Sequence, residues 1–251
     1  TLSEEGLVRD LPHTLPAFEA KLAPHDEALA SFASASGFRE FFREGRPRFE
    51  ELALEFSRLA EPERIKAWLD SEFPAVSHDA LRFVVSPYLP GPAFSHNFVG
   101  AGYSEIVVFI PAPGEDAPAA SPSFEVQAFV EPARHYVSRM TDRYIRIVNR
   151  VFGNISIWRT GSLDDKPAAV FNEYMAWSAY LIYAKQSQTP EAFDQTARAV
   201  FDHMNRSGYL QFEVLWDRVQ RLRQSRAEPL GALFPRIVRE AIQIANALES
   251  V

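Results

Sequence analysis

Glu131 and His135 are the residues whose types and spacing most directly suggest chemistry. Residues four apart share one face of a helix, so this carboxylate and this imidazole could bind a single metal ion. The chain has no cysteine and only 6 histidines, and any metal site must therefore draw on carboxylates and a few imidazoles. The sequence also lacks a glycine-rich phosphate loop and a G-x-S-x-G nucleophile segment.

The residues around Glu131 follow a wider pattern, reading A-F-V-E-P-A-R-H-Y-V-S-R-M-T-D over 128–142. This segment resembles the zinc-binding helix, V-H-E-F-x-H-x-[FY]-V-x-x-x-T-D, of a family of gluzincin-like metallopeptidases that forms a bacterial domain of unknown function. The matching residues are Phe129, Glu131, Tyr136, Val137, Thr141 and Asp142. Further along, Phe171-Asn172-Glu173-Tyr174-Met175 resembles the N-E-Y helix that supplies the family's glutamate ligand. The resemblance extends thinly over most of the chain.

Both zinc-binding histidines of that family are missing here, because Val130 and Arg134 stand in their places. The resemblance implies that Glu131 occupies the general-base position, now vestigial, and that Glu173 is the glutamate ligand that remains. Zinc is the cofactor expected for the family, but two carboxylates without an imidazole make a poor zinc site. We therefore expect no bound metal and no cofactor. Whether the chain is an enzyme stays open, and the missing histidines favour the answer that it is not.

Pro132 also departs from the family pattern. Inside a helix, proline removes one hydrogen bond and clashes with the preceding turn, at a cost of about 3 kcal/mol. Because proline is tolerated in a first turn, the sequence allows either a kinked helix or a helix that starts near Glu131.

Arg134 has three interpretations. If the family geometry holds, its guanidinium lies within reach of Glu173 and Glu131, takes the space of the metal and neutralises both carboxylates as a cleft ion pair. Alternatively, Arg134 is an ordinary solvated helix residue. In the third interpretation, a shifted ligand set of Glu131, His135 and Glu173 binds a metal, which requires the helix face to turn by about 100°.

The elements before residue 124 must position one side of this site. Apolar spacing predicts N-terminal helices within 1–75, and Pro47 with Gly45 predicts that the helical pattern of 37–59 is divided into two segments. A small sheet is predicted within 76–120 from β-branched and aromatic runs at 81–85 and 106–110.

The remaining residues, 124–251, read as helical, with segments at 124–151, 167–186, 190–206, 209–226 and 233–248. Together these patterns predict a single metallopeptidase-like domain over 1–251. Its fold class is α+β and mostly helical, with a small central sheet and a zincin-like helix pair.

Composition excludes several classes of function. The formal net charge of −7 makes the chain a poor general binder of nucleic acid or of anionic membranes. No apolar run is long enough for a membrane span. The chain begins at Thr1 without a signal-like segment, and we expect that an N-terminal segment has been removed or trimmed. The resemblance implies a periplasmic or secreted protein of the bacterial cell envelope, and the oligomeric state stays open.

These observations leave three hypotheses for the function. The first is a catalytically degenerate metallopeptidase-like domain that binds a peptide or protein partner in a retained cleft, with Asn97 and His135 as further cleft residues. The second is an active metal-dependent hydrolase that uses the shifted ligands. The third is a purely structural helical domain without a cleft. Asn97 has an alternative role as a turn residue.

Overall fold

The computed structural model describes residues 2–3, 6–7, 23–89, 91–100, 102–112, 123–160 and 166–250. These residues form a mostly helical α+β fold with a small mixed sheet, which confirms the predicted fold class. The helices are α1 (Asp26–Ala35), α2 (Phe38–Ala60), α3 (Pro62–Glu72), α4 (Phe124–Asp142), α5 (Ile145–Val151), α6 (Pro167–Ser187), α7 (Pro190–Arg206), α8 (Phe212–Ser225) and α9 (Leu230–Glu249). Two short 3-10 helices lie at Ala23–His25 and Ile155–Ile157.

Five strands accompany these helices: β1 (Leu2–Ser3), β2 (Gly6–Leu7), β3 (Ala80–Ser86), β4 (Phe94–Gly100) and β5 (Tyr103–Pro111). β1 and β2 form a short antiparallel pair. β5 is the central strand of the mixed sheet, parallel to β3 and antiparallel to β4. Within the described ranges β4 therefore lies at an edge of the sheet.

The core forms where α4 packs between the sheet and α6. Ile106, Val108 and Ile110 of β5 are fully buried beneath α4. α6 is buried on most sides between Val170 and Ala184, as expected for a helix without a polar stripe. α4 carries Glu131 and Arg134, and α6 carries Glu173.

Two predicted boundaries within helices are wrong. Residues 38–60 form one continuous helix with Pro47 inside it. Pro47 is exposed, so water can bond the carbonyl group that proline leaves without an N–H partner. In contrast, the segment 124–151 is divided, because α4 ends at Asp142 and α5 begins at Ile145.

Other predictions are corrected or fall outside the description. β4 was not predicted as a strand, and Asn97 lies inside it rather than in a turn. α4 begins at Phe124 and continues through Pro132, so the helix does not start near Glu131. Residues 8–22, part of the predicted N-terminal helical region, and residues 113–122, at the end of the predicted sheet region, lie outside the described residues. No described helix is both long and apolar enough for a membrane crossing.

Candidate functional site

The helix pair of α4 and α6 sets the geometry of the candidate site. Thr141 donates a hydrogen bond from its hydroxyl to Asn172 Oδ1 at 2.6 Å, near the end of α4 and the start of α6. At the other end of the pair, the ring of Phe129 stacks on Tyr183 with centroids 4.7 Å apart. The two helices therefore run in opposite directions, and Arg134 of α4 faces Glu173 of α6.

Arg134 binds the carboxylates of both helices. Its Nε donates to Glu173 Oε1 at 2.6 Å and its Nη2 donates to Glu173 Oε2 at 3.0 Å, a bidentate arrangement. The remaining Nη1 donates to Glu131 Oε1. The guanidinium thus lies between the two carboxylates, as the ion-pair interpretation of the sequence requires.

The cluster contains two carboxylates but one cation, and part of it is buried. The side chain of Glu131 is 9% exposed and that of Arg134 is 32% exposed. Burial raises the pKa of Glu131, and the nearby Arg134 and the Ser95 hydroxyl offset this only in part. Burial also disfavours the charged form of Arg134, but Glu173 and then Glu131 outweigh it and raise the pKa of the guanidinium. One permanent cation therefore serves two carboxylates.

Ser95 connects the edge strand β4 to this cluster. Its hydroxyl donates to Glu131 Oε2 at 3.0 Å, and His135 Nε2 lies 2.9 Å from the same hydroxyl oxygen. Because the serine proton is directed at Glu131, we assign the proton between Ser95 and His135 to the imidazole. Burial, followed by the nearby histidines and arginines, lowers the pKa of His135 to about 4, so the ring is neutral at pH 7.

The shifted metal site is not assembled in this geometry. His135 is directed at Ser95, while Arg134 fills the space between Glu131 and Glu173. Across the part of the chain that the structure describes, no three histidine, aspartate or glutamate side chains are grouped so that they could hold a metal. The arrangement can hold two helices and a strand together.

Asn97 belongs to a neighbouring network rather than to the arginine cluster. Its Oδ1 accepts a hydrogen bond from the Ser104 hydroxyl at 3.1 Å, and His78 Nδ1 lies 2.9 Å from that hydroxyl. His78 in turn meets the ring of Tyr136 on α4, with centroids 4.8 Å apart. Burial lowers the pKa of His78 to about 4. Asn97 thus supports the strand that carries Ser95.

His203 is a candidate site residue that the sequence did not single out. It lies on α7, and its ring contacts Trp177 of α6 with centroids 4.7 Å apart. Its pKa is lowered mainly by burial, and Glu173 and Arg134 both act on it electrostatically. A single histidine within a predicted helix has no spacing partner, so only the packing of α7 on α6 reveals its position.

A groove with a volume of about 770 Å³ extends from His203 along α6. Trp177, Tyr180 and Tyr183 lie along one wall, and Arg64 at the start of α3 faces them, with its guanidinium over the Tyr183 ring. Glu131 and Glu173 do not line this groove. The groove therefore adjoins the arginine cluster through Trp177 and His203 without containing it.

Comparison with known proteins yields no relative for this chain. No family model matches it, and neither a curated protein nor a solved structure is significantly similar. The metallopeptidase resemblance thus depends on the residues quoted from the sequence and remains a prediction.

Proposed function

We propose that this chain is a catalytically degenerate metallopeptidase-like domain that binds a peptide or protein partner beside β4, α4 and α6. The observation that carries the proposal is the position of Arg134, which pairs with Glu131 and Glu173 in the place where the parent family would hold zinc. A guanidinium there can neutralise both carboxylates without a metal.

The edge strand β4 supplies the means of binding. In the described ranges β4 pairs with β5 alone, so its other edge carries backbone groups that an extended peptide can pair with. Ser95 joins this strand to Glu131, and the groove beyond Trp177 and His203 has aromatic walls that suit peptide side chains. Affinity would come from the strand edge and specificity from the groove.

Selection of short random peptides displayed on phage, followed by titration of the selected synthetic peptide, tests this function. We expect hydrogen exchange of the 94–100 amides to slow in the complex. The amides of β3 at 80–86, the other outer strand of the three, serve as the matched control and should not change. Failure to select any saturable peptide, or protection that is absent from β4, would contradict the proposal and favour a purely structural domain.

Metal analysis after mild purification addresses the remaining alternative. Stoichiometric zinc that disappears on His135→Ala would contradict the degenerate-site proposal and support a metal-dependent hydrolase with Glu131, His135 and Glu173 as ligands. We expect the His135→Ala variant and the unmodified chain to have the same metal content.

A further inference from the structure

An exposed aromatic patch lies on the first half of α2, remote from the arginine cluster. Its members are Phe38, Phe41, Phe42, Phe49 and Tyr88. Phe41 is 46% exposed, Phe42 51% and Tyr88 62%. Soluble proteins rarely leave such a contiguous aromatic surface uncovered unless it binds something.

The patch arises because α2 is amphipathic over its whole length but is covered over only part of it. Its buried residues, Phe56 and Ala60, are both in the second half, where the helix packs against the rest of the fold. The apolar face continues through Phe49 to Phe38, where the rings contact one another and Tyr88 of the β3–β4 turn. α1 contacts α2, yet Phe41 and Phe42 stay about half exposed. This half of the helix therefore presents an apolar face that the described elements leave largely uncovered.

The charges on α2 are arranged in a definite order around that face. With a rotation of about 100° per residue, Phe42 and Phe49 fall within about 40° of Phe38. Three arginines lie about 80° to 100° from the centre of this face and form its border. They are Arg39, Arg46 and Arg48. Four glutamates lie farther around the helix, at about 120° to 160° from the centre of the face. They are Glu40, Glu44, Glu50 and Glu51. Arg43 lies on the far side with the glutamates, at about 140°, and Arg46 pairs with Glu50 at 2.8 Å. The residues next to the aromatic rings are thus basic, whereas the far side carries both signs.

This order is the one that a lipid surface favours. Aromatic rings enter the boundary between headgroups and acyl chains, and long arginine side chains extend from the border to the phosphate groups. A second copy of the chain placed on the patch by a twofold axis would bring the two arginine borders towards each other. We propose that the first half of α2, with Tyr88, binds the surface of an anionic lipid bilayer.

The net charge of the whole chain, −7, does not oppose this proposal. At physiological ionic strength charges separated by more than about 8 Å are largely screened, so the residues at the contact decide the interaction. The sequence predicts that the acidic chain is a poor general binder of anionic membranes. That expectation does not apply to this one surface. The inference is independent of the function proposed for the arginine cluster.

Co-sedimentation with phosphatidylcholine vesicles, with and without phosphatidylglycerol, tests the proposal on the full chain. We expect sedimentation with the anionic vesicles that weakens as salt is added. Phe41→Ser with Phe42→Ser should lower the partition coefficient about tenfold or more, because two half-exposed rings lose their burial in lipid. The matched control is Leu54→Ser, which removes a side chain that is 72% exposed on the same helix but lies outside the patch.

A second pair of variants tests the basic border without touching an apolar residue. Arg39→Gln with Arg48→Gln should also weaken binding about tenfold, whereas Arg58→Gln, near the other end of α2, should not. Absence of sedimentation, or equal sedimentation of the Phe41→Ser, Phe42→Ser variant, would overturn the proposal. So would dimerisation without lipid that these serines abolish, since the patch would then be a protein interface.

Discussion

Two buried arginine–glutamate contacts connect the helices of this protein, and they differ in how charge is balanced. At the end of α3, Glu72 accepts from Arg223 of α8 and from the Leu230 backbone N–H at 2.8 Å. One carboxylate there meets one guanidinium and one amide. At the helix pair, a single guanidinium, that of Arg134, meets two carboxylates.

The difference indicates which contact is optimised for stability. A balanced pair with all its hydrogen bonds made holds elements together without leaving a charge uncompensated. The Arg134 cluster has two carboxylates for one cation, and the pKa of Glu131 is raised mainly by burial and least by the neighbouring Glu173. Two acids around one cation is the arrangement that the proposed replacement of a divalent metal ion by Arg134 would leave. Four experiments test this comparison.

Restoring the two missing histidines is expected to have the largest effect. Val130→His with Arg134→His places two imidazoles one helical turn apart and frees Glu173 as a third ligand. We expect zinc to bind with a Kd below about 1 µM, or about 8 kcal/mol. Isothermal titration measures this, and adding Glu173→Gln should abolish most of it. A folded double variant that ignores zinc would show that the helices do not hold the family geometry.

Removing the cation from the Arg134 cluster should have the next largest effect, a loss of folding stability. Arg134→Met leaves the buried Glu131 and the partly buried Glu173 without a cation, and we expect a loss of about 3 to 5 kcal/mol at pH 7.5. The loss should shrink towards pH 5, because burial raises the pKa of Glu131, which takes up a proton once the cation is gone. Urea unfolding at both pH values measures this. A loss under about 1 kcal/mol would mean that the contact behaves as a surface pair.

The balanced contact between Glu72 and Arg223 serves as the matched control. Glu72→Gln keeps an acceptor for the Leu230 amide but leaves Arg223 without its carboxylate, and we expect a loss of about 2 kcal/mol. Arginine stays charged across this range, so the loss should be similar at pH 7.5 and pH 6. A pH dependence as strong as that of Arg134→Met would remove the contrast between the two contacts.

Lowering the pH should reveal the contribution of His135 to stability, with a smaller effect than the substitutions above. Burial lowers the pKa of His135 to about 4. As the pH falls from the ordinary histidine value of about 6.5 towards 4, the unfolded chain takes up a proton that the folded ring refuses, so stability decreases. This contributes a slope of up to about 1.4 kcal/mol per pH unit, which His135→Gln should remove. A slope that the substitution leaves unchanged would place His135 in a more solvated position.

Side-chain spacing within helices was predictable from the sequence, whereas partners across elements were not. The helices predicted at 167–186 and 190–206 match α6 and α7 closely, and each begins with a proline in its first turn. β4 was missed because His96 and Asn97 replace the β-branched residues that signal a strand, and its partner β5 decides its conformation. The position of His203 beside Trp177 depends on how two helices pack, which local spacing does not encode. Pro132 was ambiguous because the packing around it, not its own preference, determines where α4 begins.

The bond from Ser95 to Glu131 limits how homologous chains can vary in length. Successive strand residues alternate between the two faces of a sheet, so one inserted or deleted residue between Ser95 and the Gly102 turn would direct the serine away from α4. Insertions in that interval should therefore be absent from relatives that retain Arg134. A change of length before Phe94, outside the strand, would not have this consequence.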